Sequence, residues 1–176
     1  MKAGLIHLYY GDGKGKTTAA VGLAVRAAGT GKRVLFVQFM KGGETGEIKS
    51  LQDIGGITVL RSKKKFPFYR EMTLEQKQEQ TSIHNQLLNT ILIGTIQNSE
   101  YDMVILDEIT YPCRWGLIDC GKLQDFLYLG KGNIEIICTG RNPDAFFLEC
   151  ADYITEMKCI RHPYEKGVTA REGIEY

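Results

Sequence analysis

Short apolar runs recur along this chain with room for a helix between successive ones. Residues 5–10 (LIHLYY), 33–39 (RVLFVQF), 57–61 (ITVLR), 103–106 (MVIL), 134–138 (IEIIC) and 153–157 (YITEM) are rich in the β-branched and aromatic residues of strands. Their apolar positions are continuous rather than alternating, the pattern of strands covered on both faces in a mostly parallel sheet. The intervening pattern predicts helices over 16–28, 47–53, 73–99, 121–129 and 143–150. Thr73 with Gln76 forms a capping-box signal for the long helix, and Gly29 and Gly31 are good stops for the first. Alternating strands and helices predict an α/β fold with helices on both faces of the sheet. A length of 176 residues suits a single domain over 1–176, and no repeat or low-complexity segment is present.

Ligands of such sheets bind beyond the carboxyl ends of the strands, so the chemistry belongs in the segments that follow them. The first is Gly11-Asp12-Gly13-Lys14-Gly15-Lys16-Thr17-Thr18, at a strand-to-helix corner. Glycines there let successive backbone N–H groups point at an anion, and the helix dipole adds to the attraction. Lys16 is then placed to neutralise phosphate oxygens and the Thr17 hydroxyl to ligate Mg²⁺. Counted against G-x-x-x-x-G-K-[ST], Tyr10 stands where the first glycine belongs. The 103–106 strand runs into Asp107-Glu108, a second acidic motif that gives at least one carboxylate a metal role. Glu108 suits two tasks: general base for water in an ATPase, or steadying metal and substrate in a transferase. Gln38, Lys41 and two glycines follow the second strand, as ligand edge or ordinary turn; Arg141 follows the fifth, as phosphate contact or solvated cation.

Charge narrows the partners. Lys and Arg number 22 against 21 Asp and Glu, so a net charge of +1 leaves no global footprint for nucleic acid or an anionic membrane. No segment is long and apolar enough to span a bilayer and no signal-peptide pattern opens the chain, which predicts a cytoplasmic protein. Five cysteines without a C-x-x-C pair argue against a disulfide framework or structural zinc, with most reduced and Cys138 buried. The run Lys63-Lys64-Lys65-Phe66-Pro67-Phe68-Tyr69-Arg70 reads as a mobile, apolar-tipped loop that closes over something flat and large, rather than a single-strand nucleic-acid patch. His7 and His84 read as packed or solvated rather than ligands. The polar tail 166–176 is expected to fold back.

The loop GDGKGKTT, the strand end VQFMKG, the acidic motif VILDEITY, the TGR corner and the tail RHPYEKGVTAREGIEY, in that order, resemble the ATP:corrinoid adenosyltransferases of the phosphate-loop type over nearly the whole chain. Members of that family likewise lack the first loop glycine. The resemblance implies a phosphate-loop NTPase architecture of recombinase-like kind. It also implies transfer of the 5′-deoxyadenosyl group of ATP to Co(I) of a reduced corrinoid, giving adenosylcobalamin and inorganic triphosphate. Gly11, Asp12, Gly13, Lys14, Gly15, Lys16, Thr17, Thr18 and Arg141 would bind ATP, in reverse of the usual sense for such loops. Thr17, Asp107 and Glu108 would hold Mg²⁺ (or Mn²⁺). Phe66 and Phe68 would lie below the corrin ring, displacing its lower ligand, with Gln38 and Lys41 also at the corrinoid. Lys16, Thr17, Glu108, Phe66 and Phe68 are thereby the catalytic set. A flavoprotein electron donor and a homodimer are implied as well. Two departures stand out: Asp12, where Asn is common, and a start at Met1-Lys2-Ala3-Gly4 where some relatives carry an arm that helps cover the corrinoid. The alternatives are a phosphate-loop ATPase, a nucleoside kinase, whose thymidine-kinase type would show cysteine pairs for zinc, or a non-catalytic binder.

Overall fold

The computed structural model describes residues 4–43 and 45–174. The chain start at Met1-Lys2-Ala3, Glu44 in the segment after the second strand, and the acidic and aromatic end Glu175-Tyr176 lie outside the described residues. The strands are β1 (Ile6–Tyr10), β2 (Val34–Gln38), β3 (Ile57–Arg61), β4 (Met103–Asp107), β5 (Glu135–Gly140) and β6 (Tyr153–Glu156). The helices are α1 (Lys16–Ala28), α2 (Gly46–Gln52), α3 (Leu74–Leu92), α4 (Thr110–Arg114), α5 (Cys120–Gly130) and α6 (Ala145–Cys150).

All six strands join one sheet in the order β3-β2-β4-β5-β1-β6, and each neighbouring pair is parallel. The mostly parallel α/β expectation is met. β5 lies between the loop-bearing β1 and the acidic β4, an order consistent with a phosphate-loop NTPase architecture. Successive side chains of a strand point to opposite faces, and the central strands supply two cores in that rhythm. Val34 and Phe36 of β2, Met103 and Ile105 of β4 and Ile137 of β5 pack under α1 and α2. Leu35 and Val37, Val104 and Leu106, and Ile136 and Cys138 face the other core, with Leu88 and Ile91 of α3, Phe126 of α5 and Phe147 of α6. Each fully buried aliphatic or aromatic side chain contributes about 1.5–3 kcal/mol. The small Ala20, Ala24 and Ala27 of α1 bring its axis close to the sheet, which fixes where the loop before it begins.

Four departures from expectation have physical reasons. The long helix stops being α-helical at Leu92 and continues as a wider turn over Ile93–Gln97, where the Asn98 N–H bonds the Ile93 carbonyl. Gly94 lets the Tyr101 ring pack close against this turn, since a Cβ there would come to 3.0 Å from it. α4 falls in the stretch expected to be loop; its TYPCR sequence has no helical period, but it buries Thr110, Pro112 and Cys113. β6 is exposed at all four positions, since it is an edge strand held by its pairing with β1 rather than by burial. Lastly, Cys113 and Cys120 are disulfide-bonded, with Cα atoms 5.6 Å apart, contrary to the reading that spoke against disulfides. The turn at Gly116 (φ 65°) brings the end of α4 back toward α5, an approach that sequence spacing does not reveal. Cys138 and Cys150 are buried thiols and Cys159 an exposed one.

The capping box is formed: the Thr73 hydroxyl accepts from the Gln76 N–H, and the Gln76 side chain accepts from the Thr73 N–H. His84 on α3 is packed, 3% exposed, against Phe39, and its Nδ1–H donates to the Leu117 carbonyl at 2.9 Å. Burial pushes its pKa down to about 4, whereas the unfolded chain protonates near pH 6.5. A depressed pKa of this kind costs folded stability as pH falls from about 6.5 toward 4 and costs nothing above that window. Urea unfolding at pH 7 and pH 5 should show a loss of about 2 kcal/mol from this residue that is absent in His84→Gln; an equal pH 7-to-5 loss in both proteins would contradict it.

Candidate active site

The loop between β1 and α1 takes its shape from two left-handed glycines, Gly11 (φ 113°) and Gly15 (φ 112°), the latter opening α1. A third constraint is the C-terminal segment after β6, which lies against the loop. The Gly13 N–H donates to the Met157 carbonyl at 2.7 Å, and the Met157 N–H to the Tyr10 carbonyl at 2.7 Å. A Cβ on Gly11 or Gly13 would come within 2.5 or 2.6 Å of that Met157 oxygen, so no larger residue fits at either position. Tyr10 belongs to β1, paired with Gly140 and Glu156, and stands outside the curl of the loop. The motif's missing glycine is therefore a strand residue here.

Lys16 is 7% exposed and its Nζ donates to the Gly13 carbonyl at 2.6 Å, folding the cation back over its own loop. Burial, with Arg141 nearby, holds its pKa below the ordinary lysine range; Glu108, Asp12 and Asp107 pull the other way. Thr17 donates to Asp107 Oδ1 at 2.8 Å, and Thr139 donates to the same oxygen at 2.8 Å. Oδ2 accepts from Gln38 Nε2 at 3.1 Å and faces Lys41 Nζ at 3.6 Å. Asp107 is fully buried, so these partners carry the charge that water would otherwise solvate.

Glu108 follows in a left-handed conformation (φ 61°), with its N–H donating to the Thr139 hydroxyl at 2.9 Å. Its Oε2 is buried without a partner. Burial and the Asp107 charge push its pKa up, with Lys41, Lys16 and Arg141 opposing. The TGR corner is clamped by Thr110, whose hydroxyl donates to the Arg141 carbonyl and accepts from its N–H, both at 2.9 Å. A Cβ on Gly140 would overlap that Thr110 hydroxyl. Arg141 Nη1 lies 3.7 Å from Asp12 Oδ1, so the unusual loop carboxylate faces a cation.

One cavity of about 810 Å³ is lined by Asp12 to Thr18, Lys41, Glu108 and Arg141. Gln38 and Asp107 do not line it but bond residues that do, Asp107 to Thr17 and Gln38 to Glu47. His162, Gly173 and Ile174 of the tail also line it, so the tail does fold back. Glu47 of α2 lines it too and accepts from Gln38 Nε2 at 3.3 Å; it was not singled out from sequence, and neither were Thr110 and the role of Thr139. Phe66 lies apart, on a small recess that also includes Gln38 and Lys41. Phe68 lines neither cavity and is 83% exposed. The neighbouring Tyr69 stacks on Trp115 with ring centroids 4.7 Å apart and has Lys77 Nζ over its ring, 4.3 Å from the centroid. Among the described residues no helix is long and apolar enough to cross a membrane. Among the described residues no group of three or more His, Cys, Asp or Glu is arranged to hold a metal ion by itself.

The family model for ATP:corrinoid adenosyltransferase BtuR/CobO/CobP matches residues 2–176. The chain belongs to this family. It is 31% identical over 173 residues to the corrinoid adenosyltransferase of Escherichia coli, covering 98% of this chain and 86% of that protein. Corrinoid adenosyltransferase CobA of Salmonella typhimurium is 32% identical over 173 residues with the same coverage. A corrinoid adenosyltransferase from Sinorhizobium is 31% identical over 189 residues, covering 98% of this chain and 80% of that one.

The buried Glu108 carboxyl generates a prediction independent of turnover. A carboxyl with a raised folded pKa stabilises the fold below its ordinary range and loses that contribution as pH rises through the folded value. Glu108→Gln should therefore raise the melting temperature at pH 8 by about 2–4 °C, with the gain vanishing at pH 4. Thermal unfolding at the two pH values checks this; a variant less stable at pH 8 would contradict it.

Proposed function

We propose that the loop and its surrounding charges hold the triphosphate of ATP as a leaving group while the corrinoid's Co(I) attacks the ribose 5′ carbon. The observation that carries this reading is the meeting of Lys16, Thr17, Glu108 and Arg141 around one cavity in a corrinoid adenosyltransferase family chain. The chain is an ATP-using enzyme that transfers the adenosyl group to a corrinoid. In the step, the Co(I) electron pair forms the Co–C bond, the C5′–O bond breaks, and its electrons leave with triphosphate as cobalt becomes Co(III). The nucleophile arrives with the substrate, so the protein needs no general base to generate it.

What remains for the protein is placement and charge stabilisation where the leaving oxygen gains charge. The loop N–H groups and Lys16 meet the phosphates, and Arg141, beside Asp12 of the loop, adds a second cation. Lys16 exchanges its bond to the Gly13 carbonyl for one to phosphate. Arg141 is already steadied by Thr110 through its backbone and by Asp12 through its side chain.

The metal-site residues offer only oxygen donors, the set that hard divalent cations take. Mg²⁺ (or Mn²⁺) bound there supplies neutralisation of triphosphate charge. Asp107 Oδ1 and Oδ2 are already engaged by Thr17, Thr139, Gln38 and Lys41. Asp107 therefore acts by orienting the Thr17 hydroxyl and leaving its lone pairs free, while Glu108, with a buried oxygen lacking a partner, is the better direct ligand.

Phe66 and Phe68 provide the apolar surface against the lower side of the corrin ring, and Lys41, common to both cavities, marks the boundary between ATP and corrinoid. A flavoprotein donor of electrons, a homodimeric state and a cytoplasmic location complete the reading. Lys16→Ala should lower kcat/KM about 10²–10³-fold in an assay that follows the Co–C bond by its visible spectrum, with ATP, Mg²⁺ and chemically reduced cobalamin. Failure of the unaltered protein to form that bond would overturn the reading.

A further inference from the structure

The recess beside Phe66 has chemistry that the triphosphate cavity does not share. It lies between the end of β2, the 62–66 segment and α3, and holds about 10 Å³, room for one water-sized group. Gln38, 1% exposed, and Gln80, 3% exposed, both line it, and the side-chain oxygen of each is buried with no partner. The orientation of Gln38 is dictated by its neighbours: its Nε2 lies 3.1 Å from Asp107 Oδ2 and 3.3 Å from Glu47 Oε1. Two carboxylates accept and do not donate, so the amide must turn its N–H₂ to them and its oxygen away. Gln80 Nε2 lies 3.7 Å from the Met40 sulfur, a lone-pair acceptor that likewise takes the N–H₂ end.

His84 lines the same recess. Its Nδ1–H is committed to the Leu117 carbonyl, so its other ring nitrogen is an acceptor in the neutral imidazole. Three buried side chains therefore bring acceptors to one small recess. Each unsatisfied buried acceptor is costly, and a ligand that donates to it recovers that cost. A cationic donor is disfavoured by Lys41 and Lys64 on the same recess. A carboxylate would bring lone pairs to lone pairs, and the two ammoniums that would offset this are already engaged, Lys41 beside Asp107 and Lys64 with Glu79. A neutral group with two N–H bonds on one atom fits both requirements.

We propose that this recess receives the N–H₂ end of a primary carboxamide arm of the corrinoid, and that Gln80 with Gln38 selects corrinoids amidated at that arm over those carrying a free carboxylate. The proposal rests on the corrinoid adenosyltransferase reading above, since Phe66 on the same recess is the residue assigned there to the corrin ring. Gln80 is a specificity residue; it lines the recess and is not among the residues lining the triphosphate cavity.

The test compares KM for cob(I)inamide with KM for its separated monocarboxylate isomers, in the unaltered protein and in Gln80→Leu and Gln80→Met, at pH 7.5 with saturating ATP. One isomer should show a KM raised about tenfold or more, the cost of an unsatisfied buried acceptor, with the others within about twofold of the parent. In both Gln80 variants the parent KM should rise and the penalty on that one isomer should shrink toward parity. Both replacements put apolar atoms where an amide was poorly satisfied, so melting temperatures should hold; if a variant fails to fold, the isomer series in the unaltered protein still decides. Equal KM values for all isomers, or a penalty on one isomer that both variants retain in full, would overturn the proposal. If the unaltered protein forms no Co–C bond with cobinamide itself, the adenosyltransferase reading fails, and this inference with it; bond formation without discrimination sinks this inference alone.

Discussion

A single buried carboxylate ties this structure together. Asp107 has no exposure to water, and an uncompensated charge in that position would cost several kcal/mol. Compensation comes from four parts of the chain: Thr17 at the start of α1, Thr139 on β5, Gln38 at the end of β2 and Lys41 just beyond it. Gln38 and Asp107 are register partners on adjacent parallel strands, so a slip of one residue would send one of the two to the opposite face. The same bonds fix the Thr17 hydroxyl beside the cavity and tie the first turn of α1 to the sheet. Fold and site are specified by one set of contacts.

Charge in the cavity is arranged in opposed pairs. Lys16 rests on the Gly13 carbonyl, Arg141 on Asp12, and Lys41 beside Asp107. Each cation is partly satisfied before substrate arrives, which limits the cost of gathering three of them around one space. Glu108 has no such satisfaction for its Oε2, and its left-handed backbone aims it into the cavity at some conformational cost. Under the proposed function, that uncompensated oxygen is where a cation would enter with the nucleotide. The recess at Gln80 is its neutral counterpart, short of donors rather than of cations, and Gln38 and Lys41 link the two.

The parts legible in the sequence were those where backbone geometry demands particular residues. Gly11, Gly13 and Gly15 announce the loop because a Cβ would either strain φ or strike Met157, and the unbroken runs of β2 and β4 announce strands buried on both faces. Tyr10 looked like a defect only by counting along the chain; in space it closes β1. The parts not legible depend on distant partners. A threonine at position 139 has no distinctive local signal, yet it bonds both Asp107 and Glu108. The α4 helix carries a proline and no period, and is stabilised by burying Thr110 under the TGR corner. The Cys113–Cys120 bridge requires the chain to turn at Gly116, and a spacing of seven carries no information about that turn. Gln80 lies in the polar first half of α3, a pattern that suggests a partly exposed helix and gives no sign that Gln80 itself is buried.

The central claim is that this site holds a triphosphate to be released intact, with the ribose carbon rather than the terminal phosphorus presented for attack. Phosphorus-31 NMR of a reaction containing the protein, ATP, Mg²⁺ and excess Co(I) corrinoid tests this most directly. The account predicts inorganic triphosphate accumulating in equal amount to the Co–C bond formed. Orthophosphate with ADP, or pyrophosphate with AMP, as the primary products would contradict it.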